Sequence, residues 1–387
     1  MTRFLLRVLC APVLAFLAVS AGAQIPQPPE VAARSWLVMD VSANQVLAAR
    51  EIDSPIEQAS LTKLMTAYVV FDALRAKKID IKQSLPVSAR AWKTPGSRMF
   101  IDPKMTVPVE DLIKGMIVQS GNDATIVLAE GVGGSVEHFV ELMNQQAKAL
   151  GMKNTTYKNP DGLTEPGHTT TARDLGILST RLIKDFPEYL GFYSIKKYRY
   201  EGTPPTNDTN RNMLLFRDPT VDGLKTGHTD AAGYCLIATA KRDFPNLPGR
   251  RVLAIVLGAS SEVARANEAQ KLLNWAYMAW EGLKLFDAGQ AVVEPPVWKG
   301  SEKTVKLGQP AAPIVVAVPA GSSGKVKTQV ARADPLIAPF AKGQQVGTLK
   351  VSAGEQVLGE VPLVALQAVE QAGVLRRAWD AVRLWVK

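Results

Sequence analysis

The chain has 387 residues, 47% of them hydrophobic and 21% charged, enough for one sizeable core and a second smaller one, which excludes a disordered protein. Lys and Arg outnumber Asp and Glu by 45 to 36, a formal charge of +9, yet the cations are scattered and no nucleic-acid module accompanies them, so nucleic acid is not an expected partner. Three histidines and two cysteines leave little room for metal chemistry or a disulfide framework, and neither a metal site nor a cofactor is expected.

Residues 1–23 read as a signal peptide. Arg3 and Arg7 flank a charge-poor opening, Val8 to Val19 is an apolar run short for a membrane span, and Ala21-Gly22-Ala23 ends it like a signal-peptidase site. The mature protein is therefore expected to be exported. Its loss removes Cys10 and leaves Cys235 alone, within the apolar run Tyr234 to Ala240, which reads as a buried strand residue rather than a reactive thiol. Beyond the signal no apolar run reaches about 18 residues, so no classical membrane span is expected.

After the proline-containing linker Gln24 to Pro29, SWLVMDVSANQVLAARE predicts two strands around the turn Ser42-Ala43-Asn44-Gln45. A helix is expected from about Ser60 to Ala76, with Leu61, Leu64, Met65, Tyr68 and Val69 on one apolar face. Further helices are expected at Val109 to Val118, Asp123 to Val132, Val136 to Leu150 and Thr171 to Lys184. Strands follow at about Lys196 to Tyr200, Asp222 to Lys225, Gly233 to Lys241 and Arg251 to Ala259, and then a helix from Ala264 to Leu283. The sheet would thus pair the two ends of a first domain, residues 24–285. Alternating runs such as Lys325 to Ala331 and Gln345 to Leu366, with Gly354-Glu355 as a hairpin turn, predict a small all-β, sandwich-like domain over 286–366.

The last segment, 367–387, is a separate object. At 100° per residue Val374, Leu375, Ala378, Trp379, Val382, Trp385 and Val386 share one face, while Arg376, Asp380, Arg383 and Lys387 share the other. Two tryptophans opposite a basic face favour a helix lying in a membrane interface; docking on the β domain is the other reading.

Three short motifs carry the chemistry. Ser60-Leu61-Thr62-Lys63 places a serine and a lysine on the same side of a helix start, and a lysine can serve as base to a serine once burial or another cation makes its ammonium easier to deprotonate. The pattern alone is weak, since Ser194/Lys197 and Ser322/Lys325 repeat it. Ser120-Gly121-Asn122 follows the apolar run ending Ile117-Val118-Gln119, and Ser42-Ala43-Asn44 shows that it too is weak alone. Lys225-Thr226-Gly227-His228 holds the sole Lys-Thr-Gly of the chain, on a predicted strand: Gly227 admits a close backbone or ligand, Lys225 offers a cation and Thr226 a hydroxyl. Ser120 follows Ser60 by 60 residues, and Lys225 follows Ser120 by 105.

In this order the trio resembles that of penicillin-binding proteins and class A β-lactamases. With the signal peptide, the small β domain and the terminal amphipathic helix, nearly the whole mature chain is similar to the low-molecular-mass penicillin-binding proteins that are D-alanyl-D-alanine carboxypeptidases. The resemblance implies an α/β fold: a transpeptidase-like domain of antiparallel sheet, flanking helices and a helical subdomain, then the β domain and the anchoring helix. Gly121, where many relatives carry aspartate, looks like the carboxypeptidase version. By the family's roles, Ser60 attacks the carbonyl of the penultimate D-alanine of a peptidoglycan stem peptide, Lys63 accepts its proton, and the backbone N–H groups of Ser60 and His228 hold the oxyanion. Ser120 relays a proton to the leaving amine, Asn122 orients Lys63 and the substrate amide, and Lys225 with Thr226 holds the terminal carboxylate. Arg265, in ARANEAQKLLNW, is a candidate second carboxylate contact, with a solvated helix-start arginine as its bland counterpart. The implied inhibitors are β-lactams, and the implied place is the periplasmic face of the inner membrane; a homodimer is left open.

Other readings compete. A Ser-His-Asp hydrolase would draw on His138, His168 or His228, but His138 sits in a helical pattern and reads as a packing residue, His168 sits in a loop, His228 matters for its backbone, and no G-x-S-x-G elbow surrounds Ser60. A serine β-lactamase would use Glu165 for deacylation, yet the β domain and terminal helix are foreign to it. A non-catalytic binder of peptidoglycan or of divisome partners would not need every reactive group that is present.

Overall fold

The computed structural model describes residues 25–354 and 356–385; the expected signal peptide, Cys10, Glu355, Val386 and Lys387 lie outside the described residues. The expected hairpin forms as β1 (Ser35–Asp40) and β2 (Gln45–Arg50). The chain then runs through α1 (Lys63–Arg75), α2 (Val109–Val118), α3 (Asn122–Gly133), α4 (Val136–Leu150) and α5 (Ala172–Asp185). It returns as β3 (Val221–Thr229), β4 (Gly233–Phe244) and β5 (Leu247–Ala259), followed by α6 (Glu262–Ala279). The five strands form one antiparallel sheet in the order β2-β1-β5-β4-β3, with Val38 opposite Ala254 and Lys225 opposite Ile237. The two ends of the domain are joined through β1 and β5, as the strand pattern implied.

Both faces of this sheet are covered, so β1 is buried at every position and its alternation divides the core. Leu37 and Met39 pack with α1 and the helices behind it, while Trp36 and Val38 pack with α6. Helix α1 is buried all round except at Asp72 and Arg75, so the single apolar face expected for it is too narrow. It threads between sheet and helices, and the sequence KLMTAYVVFDALR supplies apolar contacts on every side.

Two expected elements differ. Lys196 to Tyr200 is not a strand but an irregular crossing with one isolated bridge, Lys197 to Thr209; its alternation comes from Tyr198, whose hydroxyl donates to Asp111 at 2.8 Å. The helix expected to reach Leu283 stops at Ala279, and Trp280–Phe286 is a strand, β6. Here the apolar residues obey both a helical and a period-2 pattern, and pairing decides: β6 lies antiparallel to β9 (Ile314–Pro319), after the short β7 (Ala291–Val293) and β8 (Leu307–Gly308).

β10 (Val326–Arg332), β11 (Gln345–Ala353) and β12 (Gln356–Ala365) complete a second antiparallel sheet in the order β7-β8-β12-β11-β10 around its own core of Leu307, Leu349, Val351 and Leu363. Gly354 makes the hairpin turn there at φ 63°. At the junction, the buried Arg250 on β5 donates to Asp40 of β1 at 2.7 Å and to the carbonyl of Trp280 at 2.6 Å. Gln45 exchanges a pair of 3.2 Å hydrogen bonds with the backbone of Ala317.

The terminal helix α7 (Val374–Trp385) docks on the β domain by its polar face. Asp380 accepts the Lys299 N–H at 2.7 Å, Arg376 donates to the Ser301 carbonyl at 2.9 Å, and Arg383 lies 5.4 Å over the Trp298 ring. Its apolar face is left outward, with Leu375 and Trp385 nearly 90% exposed.

Candidate active site

Ser60 lies in a single 3-10 turn, Ala59–Thr62, and the α-helix proper begins only at Lys63. Ala59 enters the turn at φ 46°, a left-handed conformation that tertiary contacts must hold. The buried Gln58 anchors it by donating its amide to the carbonyls of Thr156 and Thr169 at 3.0 and 3.1 Å. The segment 156–170 then wraps the turn. Thr66 donates to the Pro160 carbonyl at 2.6 Å, and Gly162, at φ 89°, presses so closely on the Ala59 carbonyl that no Cβ fits.

His168, expected in a loop, lies outside helix and strand but is buried. The Lys158 N–H donates to its Nδ1 at 2.9 Å, so the proton is on Nε2, which donates to Thr62 Oγ1 at 2.8 Å. Burial lowers its pKa to about 4, keeping the ring neutral. It fastens the wrap to the turn that carries Ser60. Cys235 is buried on β4, where burial raises its pKa to about 11.

Lys63 is buried, and its Nζ sits 3.1 Å from Ser60 Oγ, 2.7 Å from Asn122 Oδ1 and 2.5 Å from the Asp161 carbonyl. The Asn122 amide is fixed in this sense because its nitrogen donates to the Pro95 carbonyl at 2.7 Å. Burial, against the attraction of Asp161, lowers the Lys63 pKa to about 8. For a neutral amine the geometry assigns the roles: Asn122 Oδ1 and the Asp161 carbonyl can only accept, so they take the two N–H bonds. The lone pair then faces Ser60, the one partner able to donate.

Opposite stands a second buried lysine, Lys225 of β3, which donates to Ser120 Oγ and to its neighbour's carbonyl on Thr226, both at 3.0 Å. Burial first, and then the charge of Lys63, holds it well below the ordinary lysine range. Ser120 adopts φ 58° at the end of α2, which turns its hydroxyl back toward β3. A Cβ on Gly121 would come within 3.0 Å of the Met99 N–H and 2.9 Å of an Asp123 carboxylate oxygen. Asp123 accepts the N–H groups of Met99 and Phe100, each at 2.8 Å, and so ties the 97–101 loop to the start of α3. The glycine is required by this packing.

On β3, Gly227 lets the strand lie against the turn that carries Ser60, since an added Cβ would be 3.2 Å from Ala59 Cβ and 3.3 Å from the Leu61 nitrogen. The expected close approach is to the Ala59–Leu61 turn, side chains and backbone alike. Thr226 is buried beside it, and the exposed His228 stacks on Tyr234 with centroids 4.0 Å apart. Ser60, Lys63, Ser120, Asn122, Lys225, Thr226 and Gly227 thus converge from the 3-10 turn and the start of α1, from the α2–α3 connection and the start of α3, and from one sheet edge. Arg265 stands behind them: it is buried at the start of α6 and donates to the Gly227 carbonyl at 3.2 Å. Sequence reasoning missed the Asp161 carbonyl, although the turn signal Asn159-Pro160-Asp161-Gly162 marked the place.

The sequence matches the family model for D-alanyl-D-alanine carboxypeptidase over residues 22–261 and that for the penicillin-binding protein 5 C-terminal domain over 280–371. It is 39% identical over 372 residues to the D-alanyl-D-alanine carboxypeptidase DacC of Escherichia coli K12, covering 94% of this chain and 91% of that one. Penicillin-binding protein 5 of Haemophilus influenzae superposes with a TM-score of 0.82 at 36% identity, over 89% of this chain and all of that one. Penicillin-binding protein D2 of Listeria monocytogenes, solved in its ampicillin-bound form, superposes with a TM-score of 0.57 at 34% identity, over 64% of this chain and 98% of that one.

Proposed function

Because this chain belongs to the D-alanyl-D-alanine carboxypeptidase family, we propose that Ser60 is the nucleophile and Lys63 the base of a serine peptidase that removes the terminal D-alanine from peptidoglycan stem peptides. Ser60 Oγ attacks the carbonyl carbon of the penultimate D-alanine while its proton passes to Lys63 Nζ. The backbone N–H groups of Ser60 and His228 hold the charge that develops on the carbonyl oxygen. Collapse breaks the C–N bond, and D-alanine leaves with a proton relayed through Ser120. Lys225 and Thr226 hold the substrate's terminal carboxylate, Asn122 orients Lys63, and Arg265 adds positive charge behind β3. Water then hydrolyses the ester. The observation that carries this reading is the buried lysine 3.1 Å from Ser60 Oγ, with its other hydrogen-bond partners limited to acceptors.

A β-lactam mimics the D-alanyl-D-alanine amide and carboxylate, but its leaving group stays tethered and blocks the water. Labelling with a fluorescent penicillin and mapping the adduct by mass tests the assignment: we expect it on Ser60, and an adduct on Ser194 or Ser322 would refute it. The serine β-lactamase reading relies on Glu165, which is exposed and accepts the Asn159 amide at 3.2 Å. Glu165→Gln should leave a long-lived penicilloyl-enzyme and normal release of D-alanine.

We place the protein at the outer face of the cytoplasmic membrane. Among the described residues no helix is long and apolar enough to cross a membrane. What supports peripheral attachment is α7, fastened to the β domain by Asp380 and Arg376 with Val374, Leu375, Trp379, Val382 and Trp385 outward.

A further inference from the structure

Between α7 and the β domain lies a recess of about 420 Å³. Three cations line it, Lys303 from the β domain and Arg376 and Arg383 from α7, together with Trp298 and Trp379. One carboxylate shares the recess, Asp380, and an oxygen of it is engaged by the Lys299 N–H at 2.7 Å. Trp379 belongs to both surfaces: it lines the recess and is 64% exposed on the outward apolar face of the helix. Excess positive charge therefore opens beside the surface that would meet acyl chains.

From this placement we infer that the recess takes the phosphate of an anionic phospholipid headgroup, the inference resting on the membrane attachment proposed above. The apolar face of α7 would enter the boundary between headgroups and acyl chains, which brings the recess to headgroup level. A phosphodiester there meets Lys303, Arg376 and Arg383 together, with the tryptophan rings packing against the glycerol. Charge complementarity selects an anionic lipid over a zwitterionic one, because a choline ammonium would have to sit among three cations.

Lys303 is the informative position, since it is exposed and lies outside both α7 and the catalytic site. The exported protein is sedimented with phosphatidylcholine vesicles and with vesicles containing 30% phosphatidylglycerol, and compared with Lys303→Gln and with Lys82→Gln, an equal charge change on the first domain. We expect tighter binding to the phosphatidylglycerol vesicles, weakened about fivefold by Lys303→Gln and hardly by Lys82→Gln. Binding to phosphatidylcholine alone should be unchanged by either. Equal losses in the two variants, or none in Lys303→Gln, would overturn the recess and leave only diffuse attraction. Full suppression of the preference by millimolar inorganic phosphate would make it a free-anion site and overturn the lipid assignment. Wild-type protein that binds neither vesicle would defeat the membrane reading itself, whereas equal binding to both would defeat the recess alone. Penicillin acylation at wild-type rate certifies that each variant is folded.

Discussion

If Lys63 is the base, the rate at which a fluorescent penicillin acylates Ser60 follows the fraction of neutral amine. With a pKa of about 8 in place of the ordinary 10.5, that fraction at pH 7 is about 300-fold larger than for a solvated lysine. The sign is set by burial: desolvation disfavours the ammonium, and the opposing attractions of Asp161 and Asp123 do not restore it. Raising pH releases the proton, so acylation should increase with pH. Between pH 6 and pH 8 the increase should be about 50-fold, tending toward tenfold per pH unit at the acid end, with a plateau above about pH 9. The assay is single-turnover labelling at subsaturating penicillin across this range. Lys63→Arg keeps the charge but cannot give up its proton, and should lower the rate to background at every pH. A wild-type rate that is flat with pH, or that climbs without a plateau to pH 10, would refute a base of this kind, as would an active Lys63→Arg.

Gly162→Ala should disturb the chemistry more than the fold, because the new methyl overlaps the Ala59 carbonyl and the backbone there is left-handed. A displacement of about 1 Å at Ser60 should slow acylation about 100-fold with an almost unchanged circular dichroism spectrum. Arg250→Met should reduce unfolding free energy in urea by about 3–5 kcal/mol, since it strands Asp40 inside the junction, and Asp40→Leu in the same chain should recover part of the loss. Deleting 374–387 should release an active protein from membranes; retention of the truncated form in the membrane pellet would show that α7 is not the anchor.

The parts of this fold that could be read from the sequence are those in which one physical signal acts alone. Helix α4 starts after Ser135, whose hydroxyl accepts the His138 N–H, and ends before Gly151 at φ 82°; a cap at one end and a glycine at the other are visible in the letters. His138 was expected to pack, yet it lies exposed on α4 beside Glu141, as a helical period does not say which polar residues face inward. Trp280–Phe286 reads as a continuation of the helix because its spacing fits two periods and the pairing partner lies some 30 residues downstream. In the site, the side chains of the three motifs were legible. The carbonyl of Asp161 was not, because every residue has one and only the fold decides which is aimed at Lys63. Nor were the left-handed conformations of Ala59 and Ser120, residues for which that region is unfavourable without tertiary support.

The burial of Lys63 has a consequence for the chain before it is folded. Its surroundings come from α1, the start of α3 and the 159–162 turn, segments spread over about 100 residues of sequence that meet only in the finished domain. In the unfolded chain, Lys63 is a solvated ammonium and Ser60 an ordinary alcohol. Reactivity therefore arises only in the folded domain, so the chain can neither be poisoned by a β-lactam nor cleave a peptide before it has folded.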